Sequence, residues 1–199
     1  MLHTPVILFL ILFSFNLFAQ CNTWIQKANF GGIVRMGAVG FSIGNKGYIG
    51  TGETSGVVYT KDFWEYDPAI NTWAQKADFG GTARGYAVGF AIDTLGYIGT
   101  GWDGSLKTDF WAYDPDSNSW TQKADFGGAA RTGAVGFSIG TKGYLGIGSM
   151  GVVSLFKQNL GFIDFWEYDP VTNNWTFKAA FGGNYEHLAV GFSIGSKGY

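Results

Sequence analysis

Along the chain, apolar and polar positions alternate in short bursts rather than in helical stripes. The stretch RMGAVGFSI from Arg35 sets Gly37, Val39, Phe41 and Ile43 on one face and Ala38, Gly40 and Ser42 on the other. A period of two predicts a strand, and the small residues suit a crowded position. Gly44 to Gly47 follows as a turn, Tyr48 to Thr51 as a second strand, and DFWEYD (Asp62 to Asp67), rich in β-formers, as a third. Pro68 to Asn71 reads as a hairpin turn, with Pro presetting φ and Asn tolerating the left-handed conformation. A fourth strand is predicted over Thr72 to Ala77, and Lys76 marks it as an outer edge whose charge discourages edge-to-edge pairing. No helical period is visible beyond the first twenty residues.

This four-strand unit is written repeatedly. NTWIQKANFGG, NTWAQKADFGG, NSWTQKADFGG and NNWTFKAAFGG align, and DFWEYDP or DFWAYDP recurs between them. Trp24, Trp73, Trp120 and Trp175 are spaced by 49, 47 and 55 residues. Repeats of this length are supersecondary units that bury their apolar faces by stacking on one another. Units span about 22–70, 71–117, 118–172 and 173–199, the last cut short. The spacing differences fall in one loop, between the second and third strands, with nine (Glu53 to Lys61), seven (Trp102 to Thr108) and fifteen (Ser149 to Ile163) residues. Length variation in one loop type marks a single face of the assembly, often the binding face.

A glycine pair after an apolar strand (Gly50 and Gly52), Tyr66-Asp67 in the next strand, Trp73 in the following one and Arg84 opening the next unit resemble the kelch repeat. G-x-G replaces the usual adjacent glycines. The resemblance covers roughly residues 22–199 and implies an all-β, kelch-type β-propeller. About three complete four-stranded blades are expected, with partial blades at both ends: a lone fourth strand at Asn22 to Lys27, and a fourth blade that stops at Tyr199. An open arc or incomplete ring follows, read as a piece of a longer protein, with self-association to complete the ring as the other option.

Composition narrows the function classes. A net charge of −2 and a pI near 5.6 offer no footprint for nucleic acid. Val6 to Phe18 is an apolar run of 13 that is short for a membrane span and suits a secretory signal, so residues 1–19 read as a signal peptide and 20–199 as the propeller segment. The expected location is secreted, periplasmic or cell-surface, with no integral membrane segment after cleavage. Cys21 is the only cysteine, which rules out an intrachain disulfide and a cysteine metal site. Gln20 and Phe18 occupy positions where lipidation of Cys21 would want small residues.

Three candidate sites remain. The only arginines, Arg35, Arg84 and Arg131, each lie five residues after a repeated phenylalanine. They form either a guanidinium cluster for an anion or structural bonds to carbonyls or to an acid on a neighbouring blade. Glu186-His187 replaces the arginine in the fourth unit. Trp102 lies outside the repeated tryptophan positions and precedes Asp103, a pair suited to a sugar face or a protein contact. The fifteen-residue loop carries Leu155, Phe156, Leu160 and Phe162, an apolar contact surface or a patch packed under the rim.

These features favour an exported, non-catalytic module that binds a protein or glycan ligand, with no cofactor and no metal. The alternative is an enzyme. The resembled family includes a sialic-acid epimerase (a mutarotase), for which the arginines with Glu186 and His187 would hold an acidic sugar and move a proton. It also includes a copper-radical galactose oxidase, whose two histidine ligands and tyrosine-linked cysteine have no counterpart here.

Overall fold

The computed structural model describes residues 23–151, 161–184 and 188–199. The expected signal peptide, Cys21, Asn22, Leu155, Phe156, Leu160, Glu186 and His187 lie outside these residues. In chain order the strands are β1 (Val39–Ile43), β2 (Lys46–Gly50), β3 (Glu53–Thr54), β4 (Val58–Tyr59), β5 (Phe63–Asp67) and β6 (Thr72–Lys76). Next come β7 (Val88–Ile92), β8 (Leu95–Gly99), β9 (Phe110–Asp114) and β10 (Ser119–Gln122). The chain continues with β11 (Val135–Ile139), β12 (Lys142–Gly146), β13 (Phe165–Asp169), β14 (Asn174–Phe177), β15 (Ser193–Ile194) and β16 (Lys197–Gly198).

These form three antiparallel four-stranded blades, β1-β2-β5-β6, β7-β8-β9-β10 and β11-β12-β13-β14, followed by the two-stranded β15-β16. The fold is the all-β propeller arc that the repeats predict. The small hairpin β3-β4 is inserted into the loop between the second and third strands of blade 1.

Two strand limits differ from expectation for one reason, backbone handedness. The first strand starts at Val39 rather than Arg35 because Gly37 has a φ of 61° and turns the chain. The second ends at Gly50 because Thr51 has a φ of 58°. At the N-terminal end, Thr23 to Lys27 make no strand, since the described residues offer no third strand for them to pair with.

The core lies between blades. Phe41 of β1 points at the neighbouring inner strands, where a Cβ on Gly96 would stand 2.5 Å from its ring. Phe90 fills the same position against Gly143 in the next blade. Gly89 and Gly136 on the first strands, with Gly96 and Gly143 on the second, are therefore sockets for the preceding blade's phenylalanine. Phe63 packs edge-on against Tyr113 at 4.8 Å and Trp120 at 5.0 Å. Phe110 repeats this with Tyr168 at 4.9 Å and Trp175 at 5.0 Å. Such pairs contribute roughly 0.5–1.5 kcal/mol each beyond burial, so each blade is stabilised chiefly by its neighbour.

Candidate functional site

Each arginine follows an F-G-G linker that crosses from one blade to the next, and the structure turns all three inward. Arg84 is 1% exposed and Arg131 fully buried. Arg84 donates from Nη1 and Nη2 to Asp109 at 2.5 and 2.7 Å. Its remaining N–H groups go to the carbonyls of Thr82 and Thr100 and to the Thr82 hydroxyl. All five donors are used. Arg35 makes the equivalent pair with Asp62, and Arg131 with Asp164. The acid thus sits on the arginine's own blade rather than on the neighbour.

Burial alone would raise the carboxyl of Asp109. The bidentate hydrogen bonds and charge of Arg84, with the Trp111 indole, outweigh this and hold it below the usual carboxylate range. Asp62 and Asp164 are lowered against burial in the same way. Each arginine also donates to the carbonyl of a residue in the left-handed conformation: Thr51, Thr100 or Ile147. The arginines are therefore the fasteners of the loop face, and Arg84 has no N–H left for a ligand.

Two residues after each arginine runs a belt of backbone bonds between blades. Tyr86 N–H donates to Gly37 O at 2.8 Å, Gly133 N–H to Tyr86 O at 3.0 Å, and Leu188 N–H to Gly133 O at 3.0 Å. Every member has positive φ, which costs glycine little but is unusual for a tyrosine. Tyr86, at φ 56°, lays its ring over Gly37, where a Cβ would stand 2.8 Å away.

Beside this tyrosine the loops of blades 1 and 2 meet. Trp102 bridges Gly85 and Leu106, and Arg84's amide is held by Thr60 O at 3.1 Å. Burial and then the Glu53 carboxylate push the Tyr86 phenol up. Burial and Glu53 also raise Tyr59, against an opposing hydrogen bond from Trp102. Glu53, Tyr59, Tyr86 and Trp102 are all partly exposed and form one patch.

Asp103, next to Trp102, is fixed rather than free. It accepts from the Thr82 hydroxyl at 2.7 Å and from the Ser105 amide and hydroxyl, and pairs with Lys107 at 2.8 Å. Burial opposes ionisation, but these partners hold its carboxyl far below the usual range. It shapes the loop that presents Trp102.

The structure therefore joins Trp102 and Asp103 in one loop and turns Arg35, Arg84 and Arg131 into its supports. Sequence reading missed Tyr86, Glu53 and Tyr59. The visible signal was Tyr86 itself, a tyrosine at the register position where Gly37 and Gly133 stand. In the third loop, Phe162 lies over the Arg131 guanidinium at 4.1 Å and so packs inward. No group of three His, Cys, Asp or Glu side chains able to hold a metal exists among the described residues. No helix among them is long and apolar enough to cross a membrane.

No protein-family model matches this chain, and no curated protein matches it. Solved structures do. The structure of YjhT superposes with a TM-score of 0.68 at 20% identity, over 82% of this chain and 57% of that one. Identity this low shows a shared fold alone. The chain spans little more than half of the YjhT structure.

Proposed function

We propose that this chain is an exported, non-catalytic binding module that takes a protein or glycan ligand on the loop face of its blades. The observation that carries this reading is Tyr86. A tyrosine held at φ 56° where the first and third repeats use glycine, beside Glu53, Tyr59 and Trp102, is a strained residue presenting aromatic and acidic groups together. Partly exposed aromatics with one carboxylate suit sugar faces and protein hot spots alike. Against the enzymatic reading stands Arg84, whose five donors are already committed within the blade.

The test is a glycan array and a peptide-display library screened with the purified protein and with Trp102→Ala. A ligand whose affinity falls about tenfold or more in the variant supports the loop face, a loss typical of an aromatic anchor. Equal binding by both proteins removes that support. Accelerated anomer exchange of a bound sugar by the wild type, followed by NMR, would replace this reading with the enzymatic one.

A further inference from the structure

The outer groove between blades 1 and 2 holds a cavity of about 620 Å³ whose walls include Lys61, Gly80, Thr82, Asp109, Trp111 and Gln122. Its lining differs from that of the next groove at two positions, although blade 1 repeats the glutamine as Gln75 beside Trp64. Gln122 pairs across the sheet with Trp111, while in blade 3 the equivalent pair is Trp166 and Phe177. There the phenylalanine packs edge-on against the indole at 5.6 Å. Lys61 precedes Asp62, and its counterpart on the wall of the next groove is Thr108.

The polar inventory of the cavity is specific. Asp109 is satisfied by Arg84 and by the Trp111 indole N–H at 2.8 Å, so its charge is cancelled. Lys61 is exposed and makes no ion pair among the described residues, which leaves the cavity with one uncompensated positive charge. The Gln122 amide gives one N–H to Asp125 at 3.3 Å and keeps its carbonyl and second N–H. Trp111 has no donor to spare and offers aromatic surface only. We infer that this groove is a binding subsite for an acidic saccharide residue, a pyranose bearing a carboxylate. The ring's C–H face lies on Trp111, its hydroxyls meet the Gln122 amide, and its carboxylate meets Lys61. A lone ammonium is a point charge that suits a carboxylate on a sugar without demanding the bidentate geometry of a guanidinium. A phosphate would want the backbone nest or arginine fork that the cavity lacks.

The chain's own second and third blades supply substitutions that the fold already accepts, Thr108 for Lys61 and Phe177 for Gln122. Titration with glucuronate, glucose and inorganic sulfate, followed by the indole NMR signal of Trp111, is made on the wild type, Gln122→Phe, Lys61→Thr and Trp102→Ala. Glucuronate is expected to bind roughly fivefold more tightly than glucose, the scale of one exposed ion pair, and Lys61→Thr to erase that preference. Gln122→Phe should weaken glucuronate about tenfold by refilling the groove and removing its hydrogen bonds, with an unchanged melting temperature. Trp102→Ala should leave glucuronate binding intact, which separates this subsite from the loop face. Equal affinity for glucuronate and glucose, no shift of the Trp111 signal, unaltered binding in Gln122→Phe, or sulfate competing as well as glucuronate would each overturn the proposal.

Discussion

The Asn118 side chain accepts a hydrogen bond from the Ala77 amide at 2.9 Å, across 41 residues and from one blade to the edge of the one before. Two residues on, Trp120 Nε1–H donates to the Ala77 carbonyl at 3.1 Å, so both backbone polar groups of one residue are gripped. Asn71 with Trp73 holds Ala28 in this way, and Asn173 with Trp175 holds Ala124. All three asparagines have positive φ, at 54°, 48° and 52°. The invariant N-x-W of the repeat is an inter-blade clamp built on a left-handed turn. Asn118→Ala loses the clamp and the acceptor of the Tyr113 hydroxyl and forces a Cβ-bearing residue into that turn, whereas Asn118→Gly loses the same hydrogen bonds but keeps the turn unstrained. Urea denaturation should show a loss of about 2–3 kcal/mol for alanine and about 1–1.5 for glycine.

Arg84 secures the other face of the same blade. Removing it leaves Asp109 without its partner and frees the carbonyl of Thr100, which is held at φ 58°. Arg84→Ala should cost about 3 kcal/mol or more, in the range for breaking a largely buried pair. Arg84→Lys should recover less than half of that, because one ammonium cannot replace a five-donor fork. Denaturation midpoints of the two variants against the wild type decide this, and a full rescue by lysine would contradict it.

The blade was legible in the sequence because each strand position repeats with its chemistry. Glu65 and Asp67 recur in blade 3 as Glu167 and Asp169, and they pair with Tyr48 at 2.7 Å and Lys46 at 2.5 Å. Tyr144 and Glu167 at 2.6 Å, with Lys142 and Asp169, repeat the set. Blade 2 carries Leu95 and Ala112 instead, so lysine and glutamate disappear together, as parts of one network must. The site was less legible. Arg84 was visible as a recurrent cation, but its partner Asp109 lies 25 residues on, and linear spacing does not say which carboxylate folds beside it. Tyr86 was only half legible: the register sets a tyrosine against Gly37 and Gly133, but does not say that it keeps their left-handed angle.

Thr100 and Ile147 occupy the same position in successive blades, both left-handed and both buried. Among the described residues the Thr100 hydroxyl has no hydrogen-bond partner, and blade 3 carries a hydrocarbon there. Thr100→Val keeps the β-branched shape and removes the unpaired group. It should be neutral or stabilising by up to about 1 kcal/mol, where burying an unsatisfied hydroxyl carries a cost of that order. A loss above about 1 kcal/mol in thermal denaturation would show that the hydroxyl is held by a partner.

Acid stability should report on the three arginine–aspartate pairs. Asp62, Asp109 and Asp164 all have folded-state carboxyls below their ordinary values, since arginine contacts overcome the effect of burial. In each, the folded state binds its proton less readily than the unfolded chain. The stabilisation is complete above the unfolded carboxylate range, near pH 4, and is lost as pH falls from there through the depressed folded values. The melting temperature of the wild type should accordingly be nearly flat from pH 7 to about 5 as far as these groups contribute, and drop below about pH 4. Asp109→Asn removes one of the three titrations along with its pairing. It should melt well below the wild type at pH 7, and the gap should narrow as pH falls below about 4 and the wild-type carboxyl itself becomes protonated. A gap that stays constant over this range would mean that Asp109 contributes through packing rather than through its charge.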